Sequence, residues 1–149
     1  MIKNLLNEST IRLQAEVEDW EDAGVKAGEL LLNNGFIEQD YIKRMIDGVH
    51  EFGPYIVIAP GIALFHARPE ENVKEVCLSM VTLKNPVEFG AGDKDPVDLI
   101  FAFGAVDNDS HLEAIAELMK ILQDDELVSM IRKEKSKDKL LESIYQKQD

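Results

Sequence analysis

Residues 53 to 70 read GPYIVIAPGIALFHARPE, and this stretch decides the fold. The run from Tyr55 to Ala59 is almost wholly apolar and lies between Gly53-Pro54 and Pro60-Gly61, so it predicts a short buried strand. Ala59 to Glu70 is then predicted as a loop, since Pro and Gly restrict the backbone just after the strand. In layered α/β folds ligands bind at strand ends of this kind.

Three further strands are predicted on either side of this stretch. Ile11 to Val17 alternates apolar and polar residues, the pattern of a half-buried strand. Val76 to Leu83 and Val97 to Val106 are nearly continuous apolar runs. Continuous apolarity indicates strands covered on both faces, and therefore a layered α/β domain.

Helical patterns make up most of the remaining chain. Asp19 is a candidate N-cap for a helix that starts near Trp20 and stops at Asn33-Asn34-Gly35. A second helix is predicted over Gln39 to Glu51, and Gly53-Pro54 ends it. Beyond Ser110 three apolar stripes follow at helical spacing: Leu112 to Leu122, Leu127 to Ile131 and Leu140 to Tyr145. Without repeats or linkers, residues 1–149 are predicted to form a single domain.

Composition excludes several classes of protein. The formal net charge of −13 argues against nucleic acid or anionic lipid as a ligand and fits a basic protein partner, although acidity alone also keeps a protein dispersed in solution. One cysteine, Cys77, cannot form an intramolecular disulfide, and no apolar run is long enough to span a membrane. We therefore expect a cytoplasmic protein.

His66 is the residue in this stretch best suited to covalent chemistry. Neutral imidazole accepts phosphoryl groups because one ring nitrogen is unprotonated for much of the population near pH 7, and a backbone carbonyl at the other nitrogen would fix the tautomer. The site then has to align donor and acceptor and neutralise the phosphoryl oxygens, for which Arg68 is a candidate. The alternatives are a hydrogen-bonded loop histidine and a solvated arginine.

His111 lies at a second strand end. It follows Val97–Val106 through Asp107-Asn108-Asp109-Ser110, a run rich in helix-capping residues, which places it in the first turn of a helix. The field of a helix N-terminus favours anions and lowers the pKa of a histidine. His66 and His111 could thus face one another across a phosphoryl group, unless His111 only decorates the helix start.

Other chemistry finds little support in the sequence. Glycine-rich phosphate loops and nucleophile elbows are missing, and the three histidines are too scattered to suggest a metal site. Cys77 lies inside a predicted strand, which favours a buried packing thiol over a reactive one. No cofactor and no metal are expected.

The stretch Gly61-Ile62-Ala63-Leu64-Phe65-His66 resembles the Gly-Ile-Ala-x-Pro-His signature of the mannitol/fructose-type (type 2) enzyme IIA family of sugar phosphotransferase systems. Its extension Ala67-Arg68-Pro69-Glu70 is similar to the ascorbate-like branch of that family, as are Asp95 to Ile100 and Ala105 to Leu112. The resemblance covers the chain from about Leu5 to Ile144.

The resemblance implies a three-layer α/β sandwich: a mixed β-sheet with helices on both faces. It also implies that His66 accepts a phosphoryl group from the phosphocarrier protein HPr and passes it to a cysteine of enzyme IIB. A membrane enzyme IIC then couples transfer to sugar uptake. His111 would assist by hydrogen bonding to the phosphoryl group.

Two departures from the family pattern stand out. Phe65 replaces the usual proline, which would alter the stiffness of the predicted loop. Where the mannitol and fructose branches use an arginine ahead of the signature, this chain has Gly48 and His50, and we expect His50 to be a surface helix residue. Two other functions stay open: a phosphorylation sensor acting on a transcription regulator, and a binding module whose site has decayed.

Overall fold

The computed structural model describes residues 2–68 and 72–148, so the Pro69–Glu70 end of the family-like stretch lies outside the described residues. The helices are α1 Ile2–Leu5, α2 Trp20–Asn33, α3 Gln39–Phe52, α4 Asn108–Leu122, α5 Asp125–Lys133 and α6 Lys137–Gln148. The strands are β1 Ile11–Ala15, β2 Val57–Ala59, β3 Ile62–Phe65, β4 Cys77–Val87 and β5 Val97–Gly104. Short 3-10 helices cover Glu8–Thr10 and Gly92–Lys94.

The strands form one mixed sheet in the order β1-β4-β5-β3-β2. β1 runs parallel to β4 and β3 runs parallel to β5, whereas β4–β5 and β2–β3 are antiparallel pairs. The mixed sheet that the family resemblance implies is confirmed. Since β3 and β5 run in the same direction, their carboxyl ends meet at one edge of the sheet.

Helices cover both faces of the sheet, which confirms the three-layer α/β sandwich. Successive residues of a strand point to opposite faces, so each central strand serves two cores. Ala63 and Phe65 pack with α2 and α3, while Ile62 and Leu64 pack with α4, α5 and α6. Among the described residues, none of the helices is long and apolar enough to cross a membrane.

The prediction of a loop over Ala59–Glu70 is wrong in its first half. Gly61 has φ 77°, which reverses the chain directly after β2, and Ile62–Phe65 returns as β3. β3 pairs with β2 on one side and with β5 on the other, and all four of its residues are buried because helices cover both faces of the sheet. His66 therefore follows the end of a central strand and begins the loop itself.

Phe65 does not stiffen or loosen a loop, contrary to the sequence-based expectation. It ends β3, its side chain is fully buried, and its ring lies 5.9 Å from that of Phe89. The ring is accommodated by Gly24 of α2, where an added Cβ would lie 2.6 Å from Phe65 Cε1. The Phe65 ring therefore fits against α2 because Gly24 has no side chain at that point.

The other differences from the predicted elements are small. α1 was not predicted. Its Ile2 is fully buried in the core between the sheet and helices α4, α5 and α6. β1 ends at Ala15, two residues before the predicted end at Val17, and it contains a bulge: Gln14 has φ 55° and the register with β4 shifts between Arg12 and Ala15. The bulge puts Ile11 and Ala15 on opposite faces, which simple alternation would not.

The turn at Gly61 is held by a network of charged and backbone groups. Its N–H donates to Lys94 O at 2.9 Å, and its carbonyl accepts from Asp98 N at 3.1 Å. Arg132 of α5 donates from Nε to Asp98 Oδ1 at 2.9 Å and from Nη2 to Pro60 O at 3.1 Å. An added Cβ at Gly61 would lie 2.5 Å from Arg132 Nη2.

We predict that Gly61→Ala lowers the free energy of unfolding by more than Gly35→Ala. Both glycines have nearly the same φ, 77° and 76°, so alanine costs each about 1–2 kcal/mol of backbone strain. Only at Gly61 must the guanidinium of Arg132 also move, and losing one hydrogen bond adds ~0.5–1.5 kcal/mol. Urea unfolding of the two variants measures the difference, and equal losses would contradict this account of the turn.

Candidate functional site

The carboxyl ends of β3 and β5 open into a cleft of about 610 Å³, here called the His66 cleft. One wall comes from α3, the floor from the segment after β3, and the opposite wall from the start of α4. The lining residues are Arg44, Asp47, Gly48, Glu51, Phe52, Tyr55, His66, Ala67, Arg68, Asn108 and His111. All three residues predicted for the site, namely His66, His111 and Arg68, are brought together here.

His66 is half-buried and its ring is held by the backbone. Nδ1 lies 2.8 Å from Leu64 O, so the N–H at Nδ1 donates to that carbonyl and leaves Nε2 with its lone pair. The carbonyl contact anticipated from sequence is present. Tyr55 packs edge-on against the imidazole at 5.6 Å between ring centroids.

His111 faces His66 across the cleft, with 6.2 Å between the ring centroids. The predicted helix start is confirmed: α4 begins at Asn108, and the Asp107 carboxylate accepts a hydrogen bond from Ser110 N at 2.7 Å. The imidazole also packs edge-on against Phe103 at 5.2 Å. Its Nδ1 is buried without a hydrogen-bond partner among the described residues.

The pKa of His111 is lowered below its ordinary value of 6.5, first by burial and second by the neighbouring charge of His66. The direction agrees with the sequence-based expectation, but the leading cause is burial, not the field of the helix start. A lowered pKa keeps His111 neutral, so it can donate one hydrogen bond from the ring without adding a positive charge.

Two arginines line the cleft. Arg68 is exposed in the segment after β3, as predicted. Arg44 of α3 was missed: it donates from Nη2 to Arg68 O at 3.0 Å and from Nη1 to Asn72 Oδ1 at 3.3 Å. Because Arg44 is one helical turn before Gly48, helical spacing from the family arginine position could have identified it.

His50 and Cys77 lie outside the cleft, as the sequence analysis expected. His50 Nε2 is 3.1 Å from Glu21 Oε1, and its ring lies 5.1 Å from that of Trp20. Cys77 is 1% exposed in β4, and burial raises the pKa of its thiol to about 12. A thiol of this kind packs the core and is not a nucleophile.

Exposed apolar side chains occur in the cleft and near the start of α4. Phe52 (70% exposed) and Tyr55 (45%) end one wall, and Val106 (45%) and Leu112 (66%) adjoin the start of α4. Within the described parts of the chain, these four are the large apolar side chains left exposed. Exposed apolar groups beside a cleft fit a surface that contacts another protein.

The geometry suits transfer of a tetrahedral anion to nitrogen. The cleft offers one imidazole with a fixed tautomer, a second whose pKa is lowered, and two arginines in its lining. The start of α4 adds backbone N–H groups beside His111. Such a site can align a phosphoryl group and neutralise its oxygens.

This chain is similar to known proteins over nearly the whole length of both sequences. The ascorbate-specific PTS system EIIA component of Escherichia coli K12 is 43% identical over 143 residues, which cover 95% of this chain and 92% of the relative. The protein of the same name from Salmonella typhimurium LT2 is 41% identical over 143 residues, with the same coverage of both chains.

Solved structures agree with the fold. The mannitol-specific cryptic phosphotransferase enzyme IIA of Escherichia coli has a TM-score of 0.87 at 30% identity, covering 97% of this chain and 98% of that one. The mannitol IIA of Escherichia coli has a TM-score of 0.82 at 25% identity, covering 93% and 98%.

The family model described as "Phosphoenolpyruvate-dependent sugar phosphotransferase system, EIIA 2" matches residues 4–147. With the sheet order, the cleft and the relatives in agreement, this chain belongs to the EIIA type 2 family of sugar phosphotransferase systems.

Proposed function

We propose that His66 is the phosphoryl acceptor of this EIIA. Members of the family are phosphotransferases that pass the group through a histidine. Here the lone pair of Nε2 attacks the phosphorus of phosphorylated HPr, and the bond from phosphorus to its donor breaks as the new P–N bond forms. A cysteine of enzyme IIB then takes the group, and the membrane enzyme IIC uses it in sugar uptake.

The hydrogen bond between His66 Nδ1 and Leu64 O carries this proposal. It keeps the proton on Nδ1, so Nε2 is the nucleophile and needs no separate base. Once Nε2 is phosphorylated, the ring becomes cationic and the same carbonyl stabilises its N–H. One backbone contact therefore serves both states of the carrier.

We assign stabilisation of the moving phosphoryl group to His111, Arg68 and Arg44. A neutral His111 donates a hydrogen bond to a phosphoryl oxygen, and the guanidinium groups lie where they can offset its negative charge. Arg44 also holds the backbone of Arg68 in place. No cofactor enters this scheme.

The surface around the cleft supports protein partners in place of nucleic acid. The apolar side chains Phe52 and Leu112 supply a dry contact, and the net charge of −13 favours basic partner surfaces. A carrier between HPr and IIB works in the cytoplasm, where we place this chain. Residues 1–149 then act as one EIIA type 2 domain.

We further propose an ascorbate-type system as the setting. Relatives named ascorbate-specific are 41% to 43% identical over 143 residues, whereas the two mannitol-named structures described above are 25% and 30% identical. EIIA contacts IIB and not the sugar, so this assignment concerns the cognate IIB.

Phosphoenolpyruvate-dependent labelling, with enzyme I and HPr added, should modify the protein once and in an acid-labile form, because a P–N bond is formed. His66→Ala should abolish it with little change in stability, since the ring is half-buried at a loop. His50→Ala is the matched control and should label normally. Label retained by His66→Ala would refute the assignment of the acceptor.

His111→Phe keeps a ring against Phe103 but removes the hydrogen-bond donor. Phosphorylation of His66 should persist, while transfer to IIB slows by the equivalent of ~2–4 kcal/mol in the barrier. His111→Gln, which retains an N–H donor, should recover part of the rate. Rapid-quench measurement of the transfer rate in both variants tests this. If His111→Phe transferred to IIB at the wild-type rate, His111 would have no role in transfer.

The phosphorylated protein should transfer fastest to an ascorbate-type IIB. Purified IIB domains of the ascorbate, mannitol and fructose types, offered at equal concentration, allow initial rates to be compared. Preference for a mannitol or fructose IIB would overturn the assignment of the system and leave His66 as the carrier. Transfer to none of them would favour a sensor in place of a transport component.

A further inference from the structure

Tyr41 is a fully buried tyrosine whose hydroxyl bonds to the backbone at two separate places. It lies in the first turn of α3. The hydroxyl donates to Phe103 O at 2.7 Å and accepts from Ala67 N at 3.0 Å. A phenolic hydroxyl has one proton to donate, and the shorter contact to Phe103 O uses it.

The two places are the strand ends that carry the histidines. Ala67 is the residue immediately after His66. Phe103 lies one residue before the end of β5, and its ring packs against His111 at 5.2 Å. One oxygen atom therefore connects the backbone of the His66 segment to the residue that supports His111.

The sheet itself does not make this connection. The pairing between β3 and β5 ends at Phe65 and Ala102, one residue before His66. Beyond that pair the two chains separate, β3 into the loop and β5 toward α4. Just beyond the Phe65–Ala102 pair, the strands no longer bond to each other. There the Tyr41 hydroxyl connects the two segments through Ala67 and Phe103.

We propose that Tyr41 is a positioning residue that sets the distance between His66 and His111 through its hydroxyl. The inference rests on the proposed roles of these two histidines in phosphoryl transfer. Tyr41 is enclosed in the core and does not line the His66 cleft, so it contacts neither partner protein nor the phosphoryl group. Its effect on transfer must therefore pass through Ala67 and Phe103.

Tyr41→Phe removes this link and little else. The guanidinium of Arg44 lies 5.5 Å from the Tyr41 ring centroid, and phenylalanine keeps that contact. Tyr145→Phe is the matched control. Tyr145 lies on α6, outside the lining of the His66 cleft, and its hydroxyl donates to Leu6 O at 2.7 Å. Both changes delete one tyrosine hydroxyl bonded to a backbone carbonyl.

The test is single-turnover phosphorylation of each variant by phosphorylated HPr across a range of HPr concentrations. For Tyr41→Phe we expect the limiting rate to fall by ~10- to 100-fold, since small misplacement of reacting groups has effects of that size. The HPr concentration giving half the limiting rate should not change, because the docking surface is intact. Tyr145→Phe should match the wild type in both quantities.

An unchanged limiting rate in folded Tyr41→Phe would overturn the inference, and so would an equal loss in Tyr145→Phe. Failure of the wild-type protein to be labelled on His66 would instead refute the proposed function. Should Tyr41→Phe not fold, NMR of the wild type decides. The Tyr41 hydroxyl proton should exchange slowly with water and give a cross-peak to the Ala67 amide proton, and a fast-exchanging proton without that cross-peak would contradict the link.

Discussion

The parallel hydrogen bonding of β3 to β5 is the constraint on which the site depends. Parallel neighbours end at the same edge of a sheet, so the residues that follow them are brought together although they are far apart in sequence. Had β3 paired in the opposite direction, His66 and His111 would stand at opposite ends of the sandwich. The turn at Gly61 makes the parallel direction available, because it reverses the chain between β2 and β3.

Within this frame the chemistry is controlled more by backbone and burial than by nearby charges. The Leu64 carbonyl fixes the proton on Nδ1 of His66, which leaves Nε2 free for the proposed transfer, and burial favours the neutral form of His111. A phosphocarrier must both accept and release its group, so very strong stabilisation of the phosphorylated state would trap it. In the proposed transfer, a neutral donor and partly exposed guanidinium groups would bind the phosphoryl group without trapping it.

The layered α/β class and the positions of the two histidines at strand ends could be predicted because their signals are local, whereas the mixed sheet was implied by the family resemblance. Capping residues such as Asp19 and Asp107 mark helix starts, and continuous apolar runs mark the central strands. β3 was missed because Pro60-Gly61 marks equally a loop or a tight turn, and only pairing with β5 decides between them. Arg44 was missed because the family arginine position pointed to Gly48 and His50, although Arg44 lies one helical turn earlier on the same helix.

The contact between Phe65 and Gly24 bears on how this branch of the family can diverge. An aromatic ring at position 65 leaves no room for a side chain at position 24, and Ile46 crowds the same point at 2.8 Å. A descendant that acquired the family proline in place of Phe65 would leave a void under α2, which a larger residue in place of Gly24 could fill. Positions 24 and 65 should therefore covary. Family members with an aromatic residue at position 65 should have glycine at position 24, and members with proline at position 65 should allow a larger residue there.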